Sequence, residues 1–481
     1  MRLSSLRSNL LDVVVIGAGP AGVLAALRAG DLGAKTALVT RDQFGGMAAN
    51  DGPVPVRTLA HAARLLRDSR QLVRYGINVG EPVLDYERLL KRVREVTNDV
   101  RAHSALRQQI DDAGVMVYEQ AGDVRFLDAN TITTRSGLEL QSTTIIVCTG
   151  GSSRQLSVPG FELTATHSDA WKLDSVPTSM LVIGGGATGA QVASIFNAFG
   201  SKVQLFQTGP RILPTEDEDV SEAVAAAFRQ SGIEVRENFG VIESFEKTPA
   251  GVRMFFSKDD DRSSVEATLA VTAIGWVANT AELDLPKASI EIDARGFIGV
   301  DEFLRTSAPN VFAAGDVTGR LMLVPQAIHD GFIAATNAVR GATMKIPDQG
   351  AAPIGSFTDP EYAQVGLTET KARAIHDVVV ASVRFDSTTR TIIDGRTNGF
   401  CKLIASQTTR QILGCHVVGE RAVEITQVAA VAMAAGMQVD SLAQVPLSFP
   451  TYAGVLGRVA ATATRQLNLN VDWAVNQVEG S

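Results

Sequence analysis

The same short unit occurs twice in this chain: an apolar run, a glycine-rich turn, a helical pattern and a second apolar run. The first copy is Val13-Val14-Val15-Ile16, then Gly17-Ala18-Gly19-Pro20-Ala21-Gly22, a helix over Val23 to Leu32 and a strand over Thr36 to Val39. The second is Leu181-Val182-Ile183, then Gly184-Gly185-Gly186-Ala187-Thr188-Gly189, a helix over Ala190 to Phe199 and a strand over Val203 to Phe206. A strand with no polar face belongs in a parallel sheet covered on both sides, which calls for strand–helix–strand crossovers. In each turn the first glycine makes the bend, the second lets backbone approach a pyrophosphate, and the third lets helix and strand pack closely. The helix then points its free N–H groups at the anion. One such motif is a weak signal. Two, each set between a buried strand and a helix, indicate two dinucleotide sites.

The remaining chain falls into place around this duplication. With 481 residues, a prior of roughly 150 residues per domain gives about three domains. Residues 55 to 112 carry helical patterns. Strands are expected at Val115 to Tyr118, at Thr143 to Cys148, near 241 to 273 and at Val311 to Ala314, followed by a glycine-aspartate turn. From Ala351 the pattern changes to alternating segments near 379 to 384 and 400 to 417, which suggest an antiparallel sheet with helices. The expected division is a split domain (1–150 and 279–350), an inserted domain (151–278) and a C-terminal domain (351–481). A net charge of −8 gives no sign of nucleic-acid binding, and no apolar run is long enough to span a bilayer. The segment MRLSSLRSNL leads straight into the first strand without a signal-peptide core, so a cytoplasmic protein is expected. Three cysteines are too few for a disulfide framework. Cys401 and Cys415 lie on two strands flanking the loop Ser406 to Arg410, either as small packing residues or facing each other across a hairpin. Cys148 reads as packing. No metal-binding cluster is expected.

The stretch Gly45-Gly46-Met47-Ala48-Ala49-Asn50-Asp51-Gly52-Pro53-Val54-Pro55-Val56-Arg57 resembles the redox-active loop of the flavoprotein disulfide reductases, Gly-Gly-Thr-Cys-x-Asn-x-Gly-Cys-x-Pro-Ser-Lys. Thr149-Gly150-Gly151, Gly275-Trp276-Val277-Ala278-Asn279, Val311 to Asp316, Phe357 to Glu361 and Val365 to Thr368 are similar to further segments of that family. The resemblance covers nearly the whole chain. It implies an α/β fold with two Rossmann-like dinucleotide-binding domains and a C-terminal α+β dimerisation domain, hence a homodimer. It also implies FAD in the first domain and NADPH or NADH in the second. By resemblance, Asp316 bonds the flavin ribityl chain, Gly46 and Gly150 border the flavin, and Gly275 borders the second nucleotide. The helix carrying Pro325 aims its N-terminus at the flavin pyrimidine.

The departures from the family matter most. Both cysteine positions of the loop are lost, to Ala48 and Pro53. A dithiol needs two sulfurs. The family's His-Pro-Thr-x-x-Glu acid/base pair corresponds here to Phe449 and Gly454, and phenylalanine carries no proton. The family's lysine–glutamate pair near the flavin becomes Arg57 and Gln191. Arg57 either stabilises an anionic reduced flavin or contacts FAD phosphate or backbone. The glutamate that holds the FAD ribose becomes Thr40. At the matching place in the second unit, Gln207 stands where an acidic residue would hold the 2′-hydroxyl of NAD, so the charge that repels NADP is gone. Arg211 lies nearby, as a 2′-phosphate ligand or as a solvated loop residue, and the preference tilts toward NADPH.

The expected activity is therefore NAD(P)H oxidation through FAD, delivering electrons to something other than a disulfide. Ala48, Pro53, Phe449 of the partner subunit and Tyr452 of the partner subunit would line an apolar face suited to a quinone-like molecule. Tyr452 either bonds a quinone oxygen or simply packs. Two alternatives stay open. One is a protein electron carrier as acceptor, for which Glu216-Asp217-Glu218-Asp219 is a candidate docking patch or else a solvated loop. The other is a redox or nucleotide sensor without turnover. His61, His103, His167, His376 and His416 read as surface or packing residues, and His329 as a helix residue that could approach the flavin.

Overall fold

A computed structural model describes residues 10–103, 105–259, 261–347 and 352–469. The N-terminal segment discussed above lies outside these except for Leu10, and so does the His103 side chain. The fold is α/β, and its described residues group into two compact units.

The first unit comprises residues up to Leu59, Asp85–Gln155 and Gly275–Pro347. At its centre, Leu11–Ile16 lies between Thr36–Val39 and Glu139–Val147, all parallel, with Met116–Tyr118 and Val311–Ala313 on the outer sides. Glu139–Val147 serves two sheets. Residues 142 to 147 pair with the first strand, while 139 to 141 join an antiparallel meander with Val124–Asp128 and Thr131–Thr134. Val14, Val15, Leu38 and Ile146 are fully buried, as continuous apolar strands require when both faces are covered. On one face the helices Pro20–Asp31 and Val324–Arg340 cross at Gly331, where an added Cβ would sit 2.1 Å from the Ala21 carbonyl oxygen.

The second unit comprises Ala60–Leu84, Leu156–Ile274 and the residues from 352 onward. It holds a parallel sheet ordered Glu234–Glu237, Lys202–Gln207, Ser179–Ile183, Leu269–Thr272, Ala165–Thr166. A three-stranded antiparallel layer over 241 to 267 covers it through an edge-to-face cluster of Phe206, Phe239 and Phe256. The C-terminal part is a five-stranded antiparallel sheet ordered Ile354–Ser356, Tyr362–Gly366, Ile412–Val418, Phe400–Ser406, Val378–Arg384, packed on the helices Ala422–Ala434 and Gly454–Gln466. No helix among the described residues is long and apolar enough to cross a membrane.

Both glycine-motif helices begin earlier than their apolar pattern suggests. They start at Pro20 and Ala187, inside the motif itself, because the residues after the second glycine already form the first turn. Pro20 suits that turn, since its missing N–H would have no partner there.

The crossing at Gly331 yields a prediction. Alanine favours helix by about 1 kcal/mol over glycine. Its Cβ at this position meets backbone, which cannot rotate away, and overpacking of that kind costs about 1–3 kcal/mol or more. Gly331→Ala should therefore lower the denaturant midpoint despite its better helix propensity. An unchanged or raised midpoint would refute the tight crossing.

Candidate nucleotide and redox sites

In the first glycine motif, Gly17 has φ +104°, and a Cβ there would meet the Cys148 carbonyl oxygen at 2.3 Å. A Cβ on Gly22 would lie 1.7 Å from the Gly17 carbonyl oxygen, while one on Gly19 would meet nothing within 4 Å. The second motif repeats this. Gly184 has φ +106° and faces the Ala273 carbonyl oxygen at 2.2 Å, Gly189 faces Gly184 O at 1.8 Å, and Gly186 opens onto empty space. In each motif the outer glycines are fixed by packing and the middle one borders a cradle that any Cβ would intrude upon. The helices Pro20–Asp31 and Ala187–Ala198 start at Gly19 and Gly186 without a side-chain cap. An uncapped helix N-terminus behind an open glycine suits a pyrophosphate.

The first cradle has further walls. Gly45 N–H donates to Ala18 O at 2.9 Å, and Gly46 lies so close that its Cβ would sit 2.6 Å from Gly19 Cα. Thr149 and Asn279 bond each other twice, by Thr149 Oγ1 to Asn279 O at 2.8 Å and Asn279 Nδ2 to Thr149 O at 3.0 Å. Asn279 N–H also donates to Gly150 O at 3.0 Å. Thr40 is buried just beyond the strand Thr36–Val39. Asp316 follows Val311–Ala313 on a short helical turn, and burial pushes its carboxyl above the usual aspartate range. A hydroxyl donated to that carboxylate would offset its lost hydration, so the residue fits a polyol chain. The helix Val324–Arg340 also lacks a side-chain cap and carries Pro325 in its first turn. His329 is exposed on it.

At the second cradle Gln207 ends its strand, and its Oε1 accepts the Gly185 N–H at 2.8 Å. Because that partner is a donor, the carboxamide orientation is forced, and Nε2 is the group left to face a ligand. Arg211 turns back on its own loop, donating to Glu216 O at 2.9 Å and Pro214 O at 3.4 Å. Gly275, with φ +112°, is exposed in the first unit.

The loop from Gly45 to Arg57 folds as the short helix Gly46–Asn50 followed by the helix Pro53–Gln71. Ala48 is half-buried, Pro53 exposed and Arg57 half-buried. Gln191 lies in the second unit, with Nε2 3.4 Å from Ala187 O. Phe449 is 81% exposed. Tyr452 is less available than its sequence position suggests. Its hydroxyl donates to Asp394 Oδ2 at 2.8 Å, Arg390 donates to the same oxygen, and burial together with Asp394 pushes the phenol pKa well up.

One expectation is corrected. Glu216-Asp217-Glu218-Asp219 is not a continuous solvated patch, although Glu218 is exposed and Asp219 partly so. Glu216 and Asp217 are buried, and Lys402, whose side chain is 4% exposed, holds Asp217 at 2.9 Å and Asp219 at 2.7 Å. His416 is fully buried beside them, with Nε2 3.4 Å from Asp217 Oδ2. Sequence reading missed this cluster. Its one signal is a lysine within the otherwise apolar run Phe400-Cys401-Lys402-Leu403-Ile404.

The sequence matches the pyridine nucleotide-disulphide oxidoreductase family over residues 11–331 and that family's dimerisation domain over 352–460. The chain belongs to this family. It is 34% identical to a dihydrolipoyl dehydrogenase of Zymomonas mobilis over 425 residues, covering 86% of this chain and 90% of the relative. It is 29% identical to a mercuric reductase of Lysinibacillus sphaericus, covering 95% and 83%. Among solved structures, the Cu(II) complex of the HOCl-induced flavoprotein disulfide reductase RclA from Escherichia coli superposes with a TM-score of 0.83. It has 25% identity and covers 94% of this chain and 99% of its own. FAD and NAD(P)H are the family's cofactors, and the two cradles fit them.

Two predictions follow from the cradles. Gly186 has φ −77° and free space at Cβ, so Gly186→Asp should fold with unchanged melting temperature and FAD content. Its carboxylate should abolish nicotinamide nucleotide binding in a fluorescence titration, and undiminished binding would refute the second cradle. Asp316→Ala removes a charged hydrogen-bond acceptor worth about 1.5–3 kcal/mol. The flavin-to-protein absorbance ratio after gel filtration should fall sharply, whereas full FAD retention would remove Asp316 from the flavin site.

Proposed function

We propose that this chain is a family member without the redox-active cysteines, one that oxidises NAD(P)H through FAD and passes the electrons to a quinone-like small molecule. The observation that carries this reading is the pair Ala48 and Pro53 at the two positions of the loop where the resemblance implies cysteines. The remaining cysteines offer no substitute. Cys148, Cys401 and Cys415 are all buried free thiols. Burial pushes the Cys148 thiol up to about 12, and the Cys415 side chain together with burial holds Cys401 well above its usual range. A thiol that stays protonated and out of reach does not exchange with disulfides.

FAD, when bound, supplies a two-electron carrier that accepts hydride from the nicotinamide and releases electrons to a second substrate. The chain's own contributions are to bind, orient and select. The two glycine motifs and Asp316 hold the nucleotides. Gln207 offers a donor rather than a carboxylate, which favours NADPH while leaving NADH usable. Overall, NAD(P)H and a proton reduce a quinone to a quinol. Small, apolar Ala48 and Pro53 leave room for a flat acceptor, and Phe449 of the partner subunit adds an apolar ring where the family places a histidine. The residues named in the sequence reading, including Arg57, Gln191, Thr40 and Tyr452, belong to this proposal. So do the three-domain division, the homodimer and a cytoplasmic location.

The test is anaerobic stopped-flow mixing of FAD-loaded protein with NADPH and NADH in turn, then with a small quinone and separately with lipoamide. Flavin bleaching followed by fast recovery on quinone, and none on lipoamide, is the expected result. Turnover of lipoamide would sink the reading. Bleaching that no small acceptor reverses would replace the quinone by a protein carrier.

A further inference from the structure

The buried cluster around Lys402 sits at the end of the loop that shapes the second cradle. Lys402 lies in the strand Phe400–Ser406 of the C-terminal sheet. Its ammonium meets Asp217 at 2.9 Å, Asp219 at 2.7 Å and Glu369 at 3.5 Å. The Asp217 carboxylate also accepts the Glu369 N–H, at 2.9 and 3.1 Å. Burial works against the lysine charge, but bonds to Asp219 and Asp217 outweigh it and hold the pKa above its usual value. His416 adds no second charge, because burial holds its pKa below the usual range while its Nε2 lies 2.9 Å from Leu367 O. Lys402 is therefore the cation that balances buried Asp217.

From Asp217 the chain leads to Glu216, and from there hydrogen bonds run back to the glycine motif. The neighbouring Glu216 N–H donates to Leu213 O at 3.0 Å, and its carbonyl accepts Arg211. Leu213 N–H donates to Gly185 O at 2.7 Å, and Gly185 N–H donates to Gln207 Oε1 at 2.8 Å. Glu237 and Ser221 hold the same loop at Ile212, at 2.8 and 2.6 Å. Leu213 is fully buried with φ +49°, a left-handed conformation that a branched residue adopts only when its surroundings enforce it. The loop is thus anchored at Gly185 at one end and, through Asp217, at Lys402 at the other.

We propose that Lys402 is a positioning residue for nicotinamide nucleotide binding: through Asp217 it holds the loop 209–217, and hence Gly185 and Gln207, in the shape that receives the coenzyme. The inference rests on the reading of the second cradle as the NAD(P)H site. It gives the C-terminal sheet a part in coenzyme affinity separate from dimerisation.

The test compares FAD-loaded wild-type protein with Lys402→Met, Lys402→Arg and Asp217→Asn. Readouts are nucleotide Kd by titration of the oxidised protein with NADP+, KM and kcat for NADPH with a small quinone, FAD content and melting temperature. Lys402→Met should raise Kd and KM by about tenfold or more, since small misplacements of a binding group cost that much, and kcat at saturation should change little. Lys402→Arg should restore most of the loss. Asp217→Asn keeps an acceptor for the Glu369 N–H but loses the charge, so it should shift Kd in the same direction and serves if Lys402→Met does not fold. Folded variants with lower melting temperature but wild-type Kd and KM would overturn the inference and leave Lys402 a stability residue. Wild-type protein that binds no nucleotide would overturn the cradle reading as well.

Discussion

The structure depends on a single close approach made twice. At Gly22 and Gly189 the first turn of a helix lies on the carbonyl of the glycine that follows the preceding strand, at a distance no Cβ could tolerate. That contact fixes the helix axis relative to the strand. It leaves the middle glycine, and the uncapped N–H groups behind it, facing outward. Each sheet is then built from the strands that flank this junction. Strand order, burial on both faces and the position of Asp316 beyond Val311–Ala313 all follow from having one apolar strand at the centre.

Much of this was legible in the sequence, because glycine spacing and apolar runs are local signals. The strands around both motifs and the C-terminal antiparallel sheet fall where the pattern puts them. The helix starts did not, since Pro20, Ala21, Ala187 and Thr188 carry no apolar periodicity and yet form the first turns. The hairpin Val124–Asp128 and Thr131–Thr134 was missed for a similar reason. Thr131-Ile132-Thr133-Thr134 shows little hydrophobic contrast, and it is a strand because it pairs with residues 139 to 141.

The acidic run shows the other kind of failure. Four consecutive carboxylates read as a solvated segment, since charge of one sign repels and seeks water. What pairs with buried Asp217 is a lysine 185 residues further along, in the otherwise apolar run Phe400 to Ala405. No local pattern reports such a partner. Equally, Tyr452 reads as an available hydroxyl until Asp394 and Arg390 are seen around it. Long-range ion pairs and hydrogen bonds decide which polar groups remain open to a ligand, and sequence spacing is blind to them.

The nucleotide cradles depend on backbone, through glycines whose neighbours leave no room for a side chain, and they are intact. The dithiol chemistry that the resemblance implies for the loop Gly45 to Arg57 would depend on two side chains, whereas the path of the loop depends on backbone contacts. Gly45 still bonds Ala18, Gly46 still packs on Gly19, and Asn50 still caps the loop by donating to Phe44 O and Gly46 O. The path of this loop along the first cradle is set by contacts in which the Ala48 and Pro53 side chains take no part. On the proposed reading, a scaffold of this kind is turned to another acceptor at Ala48, Pro53 and Phe449. None of the three is among the close neighbours of Gly17, Gly22, Gly46, Gly184 or Gly189.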